Sequence, residues 1–192
     1  RDKHVTGVQT CALPIYSENQ KMIFSIARFG NVIGSRGSIF QIFHQQLKKN
    51  LPLTVTDSRM TRFIMSISDA ASMILKIGQV AKDSEIFILK MPTVKIEDLA
   101  KTMIQVYKEK NKLVKDPKIE ISKVRGYERF QEFLVTNDEI PFCHDIGDMY
   151  KITKKQVKHT ISLKDVNSAT ATRIPKNKLH RVINELFDEV VY

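Results

Sequence analysis

The stretch Ala27-Arg28-Phe29-Gly30-Asn31-Val32-Ile33-Gly34-Ser35-Arg36-Gly37-Ser38 decides the fold of this chain. An apolar run over residues 22–29 leads into it, and such near-continuous hydrophobicity predicts a strand buried on both faces of a parallel sheet. Ser38 then caps a predicted amphipathic helix from residue 39 to about 49. Glycines, an asparagine and arginines between a strand and a helix predict a turn that binds an anion.

Strands and helices are predicted to alternate beyond this turn. Apolar runs predict strands over 51–56, 85–89 and 118–124, and helical spacing of apolar residues predicts helices through about 77, over 95–110 and over 178–191. We expect Ser68 and Asp69 to cap the first of these helices and Gly78 to stop it. This order predicts an α/β fold rather than an all-α or all-β domain.

The composition is that of a globular protein with a basic surface. A chain of 192 residues, 42% of them hydrophobic, can form a substantial core. The net charge is +10, and nine lysines and arginines stand against two acidic residues between Asp148 and Arg181. No aromatic residues interleave with these lysines, so a solvated basic face is favoured over a nucleic-acid interface. No nucleic-acid partner is therefore expected.

Metal binding, membrane insertion and secretion are not expected either. Cys11 and Cys143 lack the spacing of metal ligands, and the five histidines are scattered. No apolar stretch approaches the roughly 20 residues that span a bilayer, and no secretory signal pattern opens the chain. A cytoplasmic location is the expectation.

Three motifs together resemble one family. The run from Arg28 to Gly37, the triplet Thr61-Arg62-Phe63 and the triplet Lys90-Met91-Pro92 are similar to motifs in the C-terminal half of the extended short-chain dehydrogenase/reductases. Within that family they look like the CapD-like polysaccharide-biosynthesis group, the UDP-N-acetylglucosamine 4,6-dehydratases, some of which also epimerise C5. The resemblance covers residues 22–134 firmly, and it implies a Rossmann-type α/β fold with its substrate-binding subdomain.

The resemblance also implies that the first nucleotide-binding half is missing. Residues 1–15 show neither strand nor helical periodicity and look like translated sequencing adaptor, so we expect them to be foreign to the protein. On this interpretation the chain has three parts. They are foreign sequence (1–15), a partial Rossmann-like and substrate-binding domain (16–134), and a basic C-terminal extension ending in a helix (135–192).

For this family the anion is a UDP-sugar, which offers two phosphates, a ribose diol and a uracil edge. Asn31 is predicted to donate its amide hydrogens to a diphosphate oxygen, and Ser38, at the positive end of the following helix, to help bind that anion. The competing interpretation of Asn31 is a turn cap. The resemblance implies that Arg62 contacts the diphosphate and that the backbone of Thr54-Val55-Thr56 meets the uracil.

Two further segments carry site residues by resemblance. The segment 125–129 occupies the place of R-x-G-E-K, which implies that Arg125 binds phosphate and Glu128 accepts hydrogen bonds from the ribose. Tyr127 stands where glycine is usual, and a helical ion pair between Arg125 and Glu128 is the competing interpretation. Arg173 matches the arginine of an S-x-N-T-x-R-L segment and is carried over as a substrate ligand.

The resemblance implies an NAD(P) cofactor, a Tyr-x-x-x-Lys pair and a homo-oligomer for the whole enzyme. The sequence contains no G-x-x-G-x-x-G turn, and its one Tyr-x-x-x-Lys string, Tyr150 to Lys154, is interpreted as chance. We therefore expect this chain to bind a UDP-sugar, to bind NAD(P) poorly, and to have no catalytic residue or activity alone. Two alternatives stay open: a UDP-sugar 4-epimerase, and a non-catalytic basic module that binds nucleic acid.

Overall fold

The architecture is α/β, as the alternation of elements predicts. The computed structural model describes residues 9–16, 22–82, 84–110, 117–122, 128–158 and 161–189. Its helices are α1 (Ile39–Lys48), α2 (Ile67–Val80), α3 (Ile96–Glu109) and α4 (Lys176–Glu189). Its strands are β1 (Gln9–Tyr16), β2 (Met22–Phe29), β3 (Asn31–Val32), β4 (Leu53–Val55), β5 (Thr61–Met65), β6 (Glu85–Leu89), β7 (Thr93–Lys95), β8 (Ile119–Ile121), β9 (Cys143–Asp145) and β10 (Met149–Ile152).

The largest sheet contains the strand that leads into the glycine-rich turn. Its strand order is β1-β2-β6-β10-β9. Strands β2 and β6 are parallel, with Ala27 opposite Phe87, whereas β10 runs antiparallel to both β6 and β9. The strands predicted over 22–29 and 85–89 are confirmed.

Strand β2 is buried mainly on one face. Ala27 and Phe29 belong to a core that also contains Met73 and Ile77 of α2, whereas Phe24 is 54% exposed. Successive side chains of a strand point to opposite faces, and α2 packs against the face that carries Ala27 and Phe29. The prediction of burial on both faces was therefore wrong for this strand in the described part of the chain.

Two smaller sheets are built from short strands. In the first, β3 is parallel to β5 and β7 is antiparallel to it, so that Phe63 lies opposite Thr93. In the second, β4 is parallel to β8, which confirms strands within 51–56 and 118–124. Strands β5 and β7 were not predicted from the sequence. Residues 61–65 are almost all buried and therefore lack the alternation that identifies a half-buried strand.

Helix α2 begins and ends differently from the prediction. Its N-cap is Ser66, whose Oγ accepts a hydrogen bond from Asp69 N (3.0 Å), while Asp69 Oδ2 accepts one from Ser66 N (3.2 Å). This capping box places the start two residues before Ser68. At the other end the helix continues through Gly78 to Val80, because Met73 and Ile77 are held in the core and glycine costs a helix only about 1 kcal/mol.

The other predicted helices are confirmed, and the residues after Leu134 complete both hydrophobic cores. Helices α1 and α3 match the predictions over 39–49 and 95–110. The weak sequence signal after Leu134 hid β9 and β10, which supply Cys143 and Met149 to one core. Helix α4 packs Ile183 and Phe187 into the other core, against α3. The basic extension over 135–192 is thus packed against the preceding residues.

The first described residues form a strand that the sequence does not predict. Strand β1 pairs antiparallel with β2 over eight residues. Residues 1–8 lie outside the described part of the chain. Regular structure is therefore present where the sequence has no strand periodicity, and the foreign origin of residues 1–15 stays a prediction.

Candidate functional site

The glycines of the turn are required by the packing or by the backbone conformation of the chain itself. A Cβ on Gly30 would lie 2.6 Å from Phe63 Cβ and 2.9 Å from Phe63 O, so β5 leaves no room for a side chain there. Gly34 and Gly37 have φ angles of +84° and +75°, in the left-handed region that favours glycine. A Cβ on Gly34 would also approach Leu186 of α4 to 3.1 Å.

Backbone amides of the turn at Ser35, Gly37 and Ser38 are already hydrogen-bonded within the chain. Ser35 N donates to Val32 O (3.2 Å) and Ser38 N donates to Ser35 O (3.1 Å). Gly37 N donates to Gln41 Oε1 (3.2 Å), and Ser38 Oγ accepts from Gln41 N (3.5 Å). The structure therefore shows Ser38 as the N-cap of α1. Its contact with an anion stays a prediction.

Arg28, in the same motif, links two parts of the chain through its guanidinium group, and we call this set of bonds the clasp. Its Nη1 and Nη2 donate to the two carboxylate oxygens of Glu139, both at 2.8 Å, and Nη1 also donates to Leu134 O at 3.0 Å. Burial raises the pKa of Glu139, but hydrogen bonds from Arg28 and Thr136 outweigh burial and hold that pKa below its usual value. The clasp ties β2 to the segment after Leu134.

Asn31 directly follows β2 and Gly30, and its side-chain amide is fully engaged as a donor. Nδ2 donates to Phe63 O at 3.1 Å and to the carboxylate of Glu132, at 3.2 Å from Oε2 and 3.3 Å from Oε1. An amide nitrogen carries two hydrogens, and these two acceptors use both. The donation to a diphosphate oxygen that the sequence predicts is therefore not available in this arrangement.

The Glu132 carboxylate contacts two side chains that were predicted to bind the UDP-sugar. The carboxylate is buried, with 4% of the side chain exposed, and it accepts a hydrogen bond from Phe63 N at 3.2 Å. Arg62 Nε lies 3.4 Å from Glu132 Oε1, and Arg62 Nη1 donates to Thr61 O at 2.8 Å. The structure thus brings Arg62 and Asn31 together on one carboxylate.

A second pair of predicted site residues also meets. Thr56, at the end of β4, donates from Oγ1 to Glu128 Oε1 at 3.4 Å. Thr54 is exposed, and its N and Oγ1 bond the side chain of Gln46 at 3.3 and 2.8 Å. Val55 is buried, and Val55 O accepts from Ser122 N. The backbone edge predicted to meet uracil is therefore occupied in part by Gln46.

The remaining two predicted site residues do not join these pairs. Arg125 lies outside the described residues. Arg173 forms a bridge to Thr93 of β7, so β7 and β5 separate it from Asn31 on β3. Three strand spacings correspond to roughly 14 Å between backbones. Arg173 instead lines a cleft of about 380 Å³ beside Lys90 and Tyr150.

Two features of the described residues bear on the cofactor and the catalytic pair that the resemblance implies. The glycines after β2 pack against Phe63 and Leu186, which leaves no open cradle at Gly30 or Gly34 for a pyrophosphate. Tyr150 lies in β10, and the centroid of its ring is 4.9 Å from Lys90 Nζ. Burial raises the pKa of Tyr150 to about 12, the wrong direction for a general base. The interpretation of the Tyr150 to Lys154 string as chance stays a prediction.

Two negative findings concern the described part of the chain. No group of three or more histidine, cysteine or acidic residues is arranged there to hold a metal ion. None of the helices described is long and apolar enough to cross a membrane.

Glu132 and its support could not be recognised from the sequence motifs. Glu132 N donates to Ser168 Oγ at 2.8 Å, and Ser168 Oγ donates to Thr61 O at 3.1 Å. Glu132 lies in an irregular segment with no periodicity. One sequence feature could have pointed to Glu132. It is a single acidic residue between Phe130 and the apolar Phe133-Leu134 pair, and an acidic side chain that is buried among apolar residues needs a partner.

Comparison with known proteins identifies the family. A model described as "Polysaccharide biosynthesis protein" matches residues 2–154. The capsular polysaccharide biosynthesis protein CapD of Staphylococcus aureus is 39% identical over 145 residues, which are 75% of this chain and 23% of CapD. A UDP-glucose 4-epimerase of Rickettsia bellii is 36% identical over 132 residues, 69% of this chain and 37% of the epimerase.

A solved structure agrees in fold. The X-ray structure of Pen from Bacillus thuringiensis matches with a TM-score of 0.75 at 32% identity, over 88% of this chain and 52% of that chain. The chain spans about half the length of the curated relatives it matches, or less. One explanation fits the motifs around Asn31 and Arg62, the parallel β2–β6 pair and these matches. The chain belongs to the polysaccharide-biosynthesis family of Rossmann-type extended short-chain dehydrogenase/reductases.

Proposed function

We propose that this chain forms the UDP-sugar-binding face of an NAD(P)-dependent UDP-N-acetylglucosamine 4,6-dehydratase, with or without epimerisation at C5. The observation that carries the proposal is the course of residues 128–132. One end of this segment brings Glu128 to Thr56, and the other brings Glu132 to Asn31 and Arg62. A carboxylate suits the ribose diol and a guanidinium suits the diphosphate, so one short segment joins both halves of a UDP site.

The proposed reaction is the one that the family resemblance implies. The 4-hydroxyl is oxidised to a ketone, its proton leaving and its hydride going to the nicotinamide that NAD(P) would supply. The C5 proton and the C6 hydroxyl then leave together as water, and the hydride is added back at C6 while C5 takes up a proton. In this proposal the described residues bind and orient the UDP-sugar, and the chain has no turnover alone. A cytoplasmic location and a homo-oligomeric whole enzyme belong to the same proposal.

A second candidate is UDP-sugar 4-epimerisation, which the similarity to the Rickettsia bellii epimerase favours. Both reactions need the same nucleotide contacts, and they differ in whether water is lost. The product of a full-length protein containing this segment separates them. A 4-keto-6-deoxy sugar supports the dehydratase, whereas a 4-epimer that keeps its 6-hydroxyl supports the epimerase.

Titration calorimetry on the 192-residue chain tests the binding proposal. UDP and UDP-N-acetylglucosamine are expected to bind, and Arg62→Ala is expected to weaken both about tenfold or more, because hydrogen bonds to charged groups are the strong ones. Arg59→Ala is the matched control, since Arg59 is 74% exposed and pairs with Asp57. Salt-sensitive binding of duplex DNA with no affinity for UDP would contradict the proposal and support the nucleic-acid module.

A further inference from the structure

We propose that Glu132 is a positioning residue that turns the Asn31 amide so that Asn31 Oδ1 accepts a hydrogen bond from a hydroxyl or N–H of the ligand, while Arg62 binds the phosphates. This inference rests on the proposed function and deepens it. It reverses the role that the sequence predicts for Asn31, from a donor to phosphate to an acceptor from the sugar, ribose or base.

The orientation of the amide follows from its neighbours. Phe63 O and the Glu132 carboxylate are acceptors, and both lie within 3.3 Å of Asn31 Nδ2. A flipped amide would set Oδ1 against these two acceptors, so the hydrogen-bond network itself assigns the nitrogen. The negative charge of Glu132 strengthens the preference, because a charged acceptor forms the stronger bond.

Glu132 is itself held in place from several directions. Its main chain exchanges two bonds with Ser168, from Glu132 N to Ser168 Oγ (2.8 Å) and from Ser168 N to Glu132 O (2.9 Å). Its buried carboxylate takes a hydrogen bond from Phe63 N and lies against Arg62 Nε, which supplies a positive counter-charge. A buried carboxylate with these partners has little freedom to turn.

The open atom of Asn31 is Oδ1. Asn31 is partly exposed, and within the described part of the chain no donor to Oδ1 is found. A diphosphate offers acceptors only, so it cannot satisfy an amide oxygen. Sugar and ribose hydroxyls, an N-acetyl N–H and the uracil N3–H are donors. One of them is the group from which Asn31 Oδ1 accepts a hydrogen bond. Arg62 Nη1 donates one hydrogen to Thr61 O and Nη2 donates one to Met60 Sδ at 3.9 Å, so each of these nitrogens keeps a second hydrogen for the diphosphate.

Nuclear magnetic resonance on the ligand-free chain tests the positioning step. The chain is labelled with ¹⁵N-asparagine, and the Asn31 side-chain pair is assigned by its loss in Asn31→Ala. Two hydrogen-bonded amide protons are expected to exchange slowly with solvent, and Glu132→Gln is expected to abolish this protection. Glu85→Gln is the matched control, since Glu85 is also a buried carboxylate, paired with Lys151 at 3.0 Å, and it is expected to leave the Asn31 signals unchanged.

Binding of two probes tests the contact with the ligand. Asn31→Ala is expected to raise the Kd for UDP-N-acetylglucosamine about fivefold and to leave the Kd for inorganic pyrophosphate within about twofold. Arg62→Ala is expected to raise both, and so is Glu132→Gln, because it releases Asn31 and Arg62 together. Glu85→Gln is expected to change neither. A purely structural role of Glu132 would lower the melting temperature of Glu132→Gln and leave the slow exchange of the Asn31 amide protons in place.

Each contrary result has a definite meaning. Fast exchange of the Asn31 amide in the wild-type chain overturns the positioning step. Equal weakening of pyrophosphate and UDP-N-acetylglucosamine by Asn31→Ala overturns the acceptor role, since it shows that Asn31 donates to phosphate. If the wild-type chain binds no UDP-sugar, the proposed function and the ligand contact both fail, whereas the exchange measurement still decides whether Glu132 fixes Asn31.

Discussion

Replacing Arg28 by methionine is expected to lower the free energy of unfolding by about 2–3 kcal/mol. Arg28 makes two charged hydrogen bonds to Glu139 and one to Leu134 O. The side chains of Arg28 and Glu139 are 17% and 24% exposed, so solvent screens the pair only in part. Methionine keeps most of the apolar stem and removes the charge, leaving the Glu139 carboxylate half-buried without its guanidinium.

Urea denaturation followed by circular dichroism measures this loss. The matched control is Lys76→Met, which breaks the solvent-exposed pair with Asp148 and is expected to cost about 0–1 kcal/mol. A double-mutant cycle with Glu139→Gln isolates the pairwise energy. If Arg28→Met costs no more than Lys76→Met, the clasp is not a stabilising interaction and the reasoning fails.

The same pair predicts a pH dependence. The pKa of Glu139 is lowered in the folded chain, so its stabilisation is fully present above the usual pKa of a glutamate and is lost as the pH falls through the lowered value. Glu139→Gln is therefore expected to flatten the fall in stability on the acid side. If the variant loses stability at low pH as steeply as the wild type, Glu139 does not contribute to the pH dependence of stability.

Two glycine substitutions are expected to change stability in opposite directions. Gly30→Ala sets a Cβ 2.6 Å from Phe63 Cβ and is expected to destabilise the chain by about 2 kcal/mol or more. The measurement is the midpoint of urea denaturation, which is expected to be lower in the variant. A midpoint equal to that of the wild type would contradict the close approach of Gly30 to β5. Gly78→Ala meets nothing within 4 Å in an exposed helical position and is expected to stabilise by about 0.5–1 kcal/mol. A lower melting temperature for Gly78→Ala would count against the course of α2.

The elements with a clear period could be predicted from the sequence. Helix α3 shows apolar residues at helical spacing, and it was found within one residue of its predicted ends. Strand β5 was missed because burial of nearly all its residues erases alternation, and β10 was missed because it is short and contains Lys151. The sequence predicts that Gly78 ends α2, but the helix continues to Val80. Packing of Ile77 in the core stabilises the helix more than Gly78 destabilises it.

The candidate site was predictable only as a set of residue types. Motifs identified Asn31 and Arg62, and the structure brings these two together. The direction of the Asn31 amide could not be predicted, because it depends on Glu132, which is 101 positions away in the chain. Arg28 illustrates the same limit, since its partner Glu139 lies 111 positions away and no local pattern connects the two.

The bonds of Ser168 set the order in which this binding face can form during folding. Ser168 Oγ bonds to Thr61 across 107 positions, and its main chain and hydroxyl fix Glu132. Closing so long a loop is entropically costly and is slow compared with forming the local contacts of a helix. Helices α1 and α3 can therefore form early, while the face around Asn31 is completed late, and a folding intermediate without residues 161–168 in place would bury the charge of Glu132 less completely.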